Sequence, residues 1–170
     1  TTFISFTQTE DEVRVNADAL FKNKQYVEAT PLYLRLLSLQ PRSYDYSYKY
    51  GTCLLFNSNS KQDAIRYLAY AIKSPVPIPE ANFFLGKAYH LNYQFNDAIS
   101  EYRNYLSKAG NKGEYFAESN RNIAMCENGK NLLTTLTDGI KTIIWSKSPS
   151  FTVRILILML NLISGIKKFR

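Results

Sequence analysis

The side chains able to do covalent or metal chemistry are few. The 170 residues hold one histidine, His90, and two cysteines, Cys53 and Cys126. A zinc site takes three or four ligands at suitable spacing, and these residues have no neighbours that complete such a set. No Gly-rich phosphate loop is present, and no nucleophile stands beside a base. The acid run Glu10-Asp11-Glu12 reads as the start of a helix, where carboxylates suit the dipole. The cysteines lie 73 residues apart on expected helices, where a small buried thiol packs well. An exported chain would meet oxidising conditions that permit a disulfide, but their helix positions do not suggest one. No enzyme, cofactor or metal is therefore expected. The chemistry left to this chain is recognition, by aromatic rings and scattered charges.

Something must position those rings, and the spacing of small residues says what. Ala29, Ala64 and Ala98 stand 35 and 34 residues apart, each near the start of an apolar helical stretch. A period of this size marks a repeat of helix pairs. In the third unit Leu85-Gly86-Lys87-Ala88-Tyr89 is followed by Tyr93-Gln94-Phe95-Asn96-Asp97-Ala98 and then Tyr102. The second unit offers Gly51, Leu54, Ala64, Leu68 and Ala71, with an extra residue in the Asn57–Ser60 turn. The first offers Ala17, Leu20, Tyr26, Ala29, Tyr33 and a closing Pro41. Here Ala17 stands where Gly51 and Gly86 stand in the others. This resembles the tetratricopeptide repeat. The alternative, an unrelated helical bundle, has to obtain three aligned units by accident.

Physical reasons lie behind the pattern. The two helices of a unit cross closely, so Gly51, Gly86, Ala29, Ala64 and Ala98 face each other without bulk. Tyr33, Tyr89, Phe95 and Tyr102 fill the wedge between units. Neither helix buries its apolar face alone, and stacking supplies the missing surface. Thirteen tyrosines against one tryptophan, in a chain 45% hydrophobic, suit wedges and a groove that stay partly wet. The periodicity predicts helices over about Glu10–Lys22, Tyr26–Leu39, Ser43–Phe56, Lys61–Lys73, Glu80–Leu91, Phe95–Ala109 and Glu114–Lys130. Pro41, the Pro75–Pro79 stretch and Gly110–Gly113 punctuate the units. The seventh helix, with Phe116, Ile123, Ala124 and Cys126, covers the open end of the third unit, as a solenoid requires. The expected architecture is all-α: a tetratricopeptide solenoid of three helix pairs plus a capping helix over 10–133. A frayed N-terminus, 1–9, precedes it, and an irregular or separately structured tail, 134–170, follows.

The repeat resemblance implies a concave groove lined by the first helix of each unit, at its second, fifth, ninth and twelfth positions. In this chain those positions carry Arg14, Asp18 and Phe21, then Asp45, Tyr48, Thr52 and Leu55, then Phe83, Lys87 and His90. Aromatics and a few charges on a rigid wall suit an extended peptide or a partner helix. The plainer reading is that Tyr48 and Phe83 pack against neighbouring helices. Members of this repeat class that clamp an acidic C-terminus need several Lys, Arg and Asn there. Arg14 and Lys87 stand beside Asp18 and Asp45, so that ligand is disfavoured. The expected partner is another protein or peptide, held without chemistry. The oligomeric state stays open, although exposed solenoid ends often associate.

The net charge of +7 does not point to nucleic acid. Residues 1–128 hold 14 Lys or Arg against 13 Asp or Glu, whereas 129–170 hold 7 against 1. The helical body is close to neutral, with acids and bases interleaved as on a solvated helix face, and no RNA-binding aromatic-basic signature appears. After Asp138 there is no acidic residue, and Phe151–Ile166 is strongly apolar. A bilayer span takes about 20 apolar residues, and Arg154 and Asn161 interrupt this shorter run. An interfacial or buried helix, a strand lacking its partner, and sequence foreign to the natural protein are the three readings. Membrane contact is expected, if anywhere, only through this tail.

A narrower resemblance rests on three phrases: Ala19-Leu20-Phe21-Lys22-Asn23-Lys24-Gln25-Tyr26, Gly86-Lys87-Ala88-Tyr89-His90-Leu91-Asn92-Tyr93-Gln94-Phe95, and Met125-Cys126-Glu127-Asn128-Gly129-Lys130. From Glu10 to Thr137 the chain is similar to the N-terminal repeat segment of bacterial outer-membrane proteins of the OmpA-like family. That resemblance implies a periplasmic, outer-membrane-associated scaffold. In the family a β-propeller-like region and a peptidoglycan-binding domain follow, and nothing resembling either follows Thr137. The change of character near Asp138 reads as a truncation, a frameshift or a gene-model error, and no leader segment is expected in this chain. The second functional reading is a stand-alone adaptor held at a membrane surface by its basic, apolar tail. Liposome co-sedimentation of chains ending at Leu133 and at Arg170 separates the two, and equal partitioning excludes the anchored adaptor. An enzyme regulatory subunit is a third reading.

Overall fold

The computed structural model describes residues 9–57 and 61–146. Among them are seven α-helices and one 3-10 turn, with no strand: α1 (Glu10–Lys22), α2 (Tyr26–Leu39), α3 (Tyr44–Phe56), α4 (Lys61–Ala71), α5 (Pro79–Leu91), α6 (Phe95–Ala109), the 3-10 turn Gly110–Lys112, and α7 (Phe116–Ser146). The expected solenoid is the observed one. α1 packs on α2, α3 on α4 and α5 on α6, while α2–α3 and α4–α5 contacts join each pair to the next. The described residues divide between Cys126 and Glu127 into two compact units.

Local chemistry starts and stops these helices. Thr9 accepts from the Glu12 amide and Glu12 answers the Thr9 amide, a reciprocal cap on α1. Thr9 was expected within the frayed segment, and this cap orders it. Ser43 accepts from the Tyr46 amide at 3.2 Å and opens α3, and Pro79 pre-sets the first turn of α5. Units one and three then reverse direction in the same way. Lys24 and Tyr93 adopt φ of 60° and 59°, and the following amides, Gln25 and Gln94, donate back to Leu20 O and Tyr89 O. Two non-glycine residues hold the left-handed region at equivalent places, which confirms the repeat at the level of the backbone.

Small residues set how closely the helices approach. Ala17, Ala29, Ala64 and Ala98 are completely buried. A Cβ on Gly51 would lie 2.8 Å from Leu68 Cγ, and one on Gly86 2.9 Å from Tyr102 Cδ1 and 3.2 Å from Ala98 O. Around these crossings the core runs from Val13 through Tyr33, Leu36, Cys53, Leu68, Leu85 and Tyr105 to Cys126. Two of its large tyrosines pair their hydroxyls, an unpaired one costing about 1–3 kcal/mol, whereas the buried Ser119 Oγ has no hydrogen-bond partner among the described residues. Tyr33 Oη donates to Asp18 at 2.8 Å, and Tyr102 Oη accepts from Asn122 at 3.2 Å.

The seventh helix exceeds its expected end. It continues past Gly129 and Asp138 to Ser146. The expected end is Lys130, and Gly129 does not stop the helix, since a glycine inside one costs only about 1 kcal/mol. The Thr134, Thr135 and Thr137 hydroxyls donate to the carbonyls four residues back, at 3.0, 3.0 and 2.7 Å. Within the second unit Leu132, Leu133 and Leu136 are exposed. The apolar run Phe151–Ile166 and the segment 1–8 lie outside the described residues. Among the described residues, no helix is long and apolar enough to cross a membrane.

Candidate functional site

The first helices of successive units, α1, α3 and α5, present their rings to one another. Phe21 meets Tyr48 edge-on at 5.8 Å, Tyr48 meets Phe84 at 6.2 Å, and Phe84 meets Tyr115 at 5.4 Å. A ladder of four rings therefore crosses three units and reaches the turn before α7. Phe21, Tyr48 and Tyr115 are half-buried, so the ladder keeps accessible faces, while Phe84 forms its floor. Beside it Tyr26 stacks on Phe56 at 4.3 Å. The turn that carries Tyr115 is held by Gly113, where a Cβ would stand 2.5 Å from Tyr105 Oη. That close approach lets Tyr105 Oη accept the Tyr115 amide at 2.9 Å.

Charges bridge the same helices. Lys49 of α3 lies 2.8 Å from both Asp18 of α1 and Asp45 of its own helix. Burial lowers the Lys49 pKa, but hydrogen bonds to Asp18 and Asp45 and their charge outweigh it, so the ammonium is stabilised. Lys87 of α5 reaches Glu118 of α7 at 3.1 Å, with its ammonium 5.7 Å from the ring centres of Phe56 and Phe83. The two bridges span the same sequence separation, 31 residues, as expected of a repeated device. Arg14 is drawn toward Asp11 at 3.0 Å.

Not every residue expected on the wall lies there. Arg14, Asp18, Phe21, Asp45, Tyr48 and Lys87 stay at least partly exposed on α1, α3 and α5. Thr52, Leu55 and Phe83 belong to the core instead. Thr52 donates its hydroxyl to Tyr48 O at 2.9 Å. Leu55 is covered as part of the packed α3 face, and Phe83 is stacked under Tyr115 at 4.2 Å. The groove positions of a solenoid are exposed only where the next unit or its turn does not fold over them, and here Tyr115 does. His90 is half-buried edge-on to Phe95 at 5.9 Å and to Tyr102 at 6.5 Å, so it serves the α5–α6 seam. Burial, then the Lys87 charge, lowers its pKa. Cys53 and Cys126 are both buried, and burial pushes the Cys53 thiol up to about 12, far from a reactive thiolate. Among the described residues no group of three or more His, Cys, Asp or Glu is placed to hold a metal.

Sequence reading missed Lys49, Glu118, Tyr26, Phe84 and Tyr115. Tyr115 was hidden because it belongs to a turn, outside any first helix. A missed acidic signal had the repeat's own period: Glu10, Asp45, Glu80 and Glu114 stand 35, 35 and 34 residues apart. Their charge is felt at the ladder. The Tyr48 pKa is raised by burial first and then by Glu80, and that of Tyr115 by burial first and then by Glu114.

No family model matches the chain, and no curated protein sequence does. Solved structures do. The Sgt2 TPR domain from Aspergillus fumigatus superposes with a TM-score of 0.61 at 19% identity, over 74% of this chain and 82% of that one. The Yersinia enterocolitica type III secretion chaperone SycD, in complex with a peptide of the translocator YopD, gives 0.57 at 17% identity, over 74% of this chain and 97% of that one. At such identities the likeness concerns the fold, and the fold of this chain is that of tetratricopeptide-repeat domains.

Proposed function

We propose that this protein is a non-catalytic interaction scaffold that captures a segment of another protein on the wall formed by α1, α3 and α5. The observation that carries this reading is the ring ladder Phe21–Tyr48–Phe84–Tyr115, which spans all three units and leaves three of its rings half-buried. Aromatic faces fixed on rigid helices offer large contact area at little entropic cost. The similar SycD structure, which holds a translocator peptide, agrees with it.

The test is a selection of phage-displayed peptides on the full chain, followed by binding to Tyr48→Ala and to Leu34→Ala. Leu34 is exposed on α2, a second helix of its unit. The scaffold reading expects the selected peptides to lose roughly tenfold or more against Tyr48→Ala, about 1.4 kcal/mol, and nothing against Leu34→Ala. Circular dichroism checks that both variants stay helical. Equal binding to the folded Tyr48→Ala chain would overturn the reading.

The setting we propose is the bacterial cell envelope, on the periplasmic side of the outer membrane. It is supported by the OmpA-like phrases around Tyr26, Tyr89 and Cys126. Genomic sequence downstream of the Thr137 codon tests it. A β-rich and peptidoglycan-binding continuation in any frame supports the envelope setting, and its absence from all frames removes that support.

A further inference from the structure

The wall is short of available cations. Asp18, Asp45, Glu80, Glu114 and Glu118 border the ladder, and the ammonium groups among them are already engaged. Lys49 is spent on Asp18 and Asp45, and Lys87 on Glu118 and two rings. Arg14 is turned to Asp11. Carboxylates at helix starts are favoured by the dipole wherever the helix points. That effect accounts for acids in the first turns of α3 and α5. It does not account for internal neutralisation of the lysines, which leaves the surplus charge on this face negative.

We propose, resting on the scaffold reading above, that the wall selects a protein segment in which apolar side chains are interspersed with Lys or Arg. The apolar groups lie on Phe21, Tyr48 and Tyr115, and the cations reach Asp45, Glu80 and Glu114. Packed helices stand about 8–10 Å apart, which matches one turn of a polyproline II segment, about three residues at roughly 3.1 Å each, in which every third side chain shares one face. A cation near every third position therefore keeps step with the acids. Acidic partners meet repulsion along the whole ladder.

The experiment uses the full chain and fluorescein-labelled peptides that share Leu, Ile and Phe positions. They differ at every third residue, which is Lys, Ser or Glu. Fluorescence anisotropy should show the Lys peptide binding at least tenfold tighter than the Glu peptide, with the gap closing as salt is added. The double variant Glu80→Lys with Glu114→Lys should reverse the order. Equal affinity of the Lys and Glu peptides, still lost on Tyr48→Ala, would overturn the charge selection and leave the scaffold reading standing. Failure of any peptide to bind in a Tyr48-dependent way would remove both.

Discussion

In the first half of the wall Lys49 brings its ammonium to two carboxylates, whereas in the second half Lys87 reaches one carboxylate and two rings. Each lysine joins its helix to another, Lys49 to α1 and Lys87 to α7, but their surroundings differ. The Lys49 side chain is 19% exposed and the Lys87 side chain 32%. Asp18 also accepts from Tyr33, whose ring is fully buried. The first bridge is thus tied to the core through its lysine and Tyr33, while the second, whose acid is no more exposed, holds its lysine closer to solvent beside the ring ladder. A repeat can copy the position of a contact without copying its depth. Depth decides whether the contact holds the fold or stays open to a ligand.

Removing the acid of each bridge should expose that difference most clearly. Asp18→Ala leaves a mostly buried ammonium with Asp45 alone and orphans the Tyr33 hydroxyl. It should cost about 2–4 kcal/mol, read from urea midpoints. Glu118→Ala releases a lysine that water and two rings still serve, and should cost no more than about 1 kcal/mol. Equal losses would mean that the two bridges are energetically the same.

A smaller contrast lies in the turns. Lys24→Gly relieves a left-handed residue at a cost of unfolded-state entropy, for a net gain of about 0.5 kcal/mol. Tyr93→Gly relieves the same strain but gives up the ring contact with Phe95, at 6.1 Å, so it should gain less. Thermal midpoints order the two, and a larger gain at Tyr93 would contradict the assignment of its ring to packing.

The faintest effect is a slope with pH, confined to the second half. His90 holds its proton less tightly when folded than its ordinary pKa near 6.5. As pH falls through that value the unfolded chain takes up the proton first, so stability declines toward the lower folded pKa. His90→Gln should flatten the urea midpoint between about pH 7 and pH 5.5. An unchanged slope would mean that His90 is not the group responsible.

The solenoid was legible because its determinants are local and periodic. Alanines at one spacing, glycines at close crossings and Pro or Gly between helices are all visible along the chain. The wall was legible only in part. Tyr48 and Phe21 fall at the positions the repeat pattern names, but Thr52, Leu55 and Phe83 fall there too and are buried. Burial at those positions depends on what folds over them, and Tyr115 arrives from a turn that the pattern does not describe. The length of α7 was misjudged: past Lys130 the threonine hydroxyls bond back along the helix and it runs on.

The sequence by itself determined the repeat, the helix pairs and the place of the small residues, because each follows from spacing within about one turn or one unit. Only the tertiary structure decided which wall residues stay accessible and which charges cancel. Asp18 with Lys49, and Lys87 with Glu118, lie 31 residues apart in the chain. They meet only when successive units stack. The negative surplus around the ring ladder is a property of that stacking.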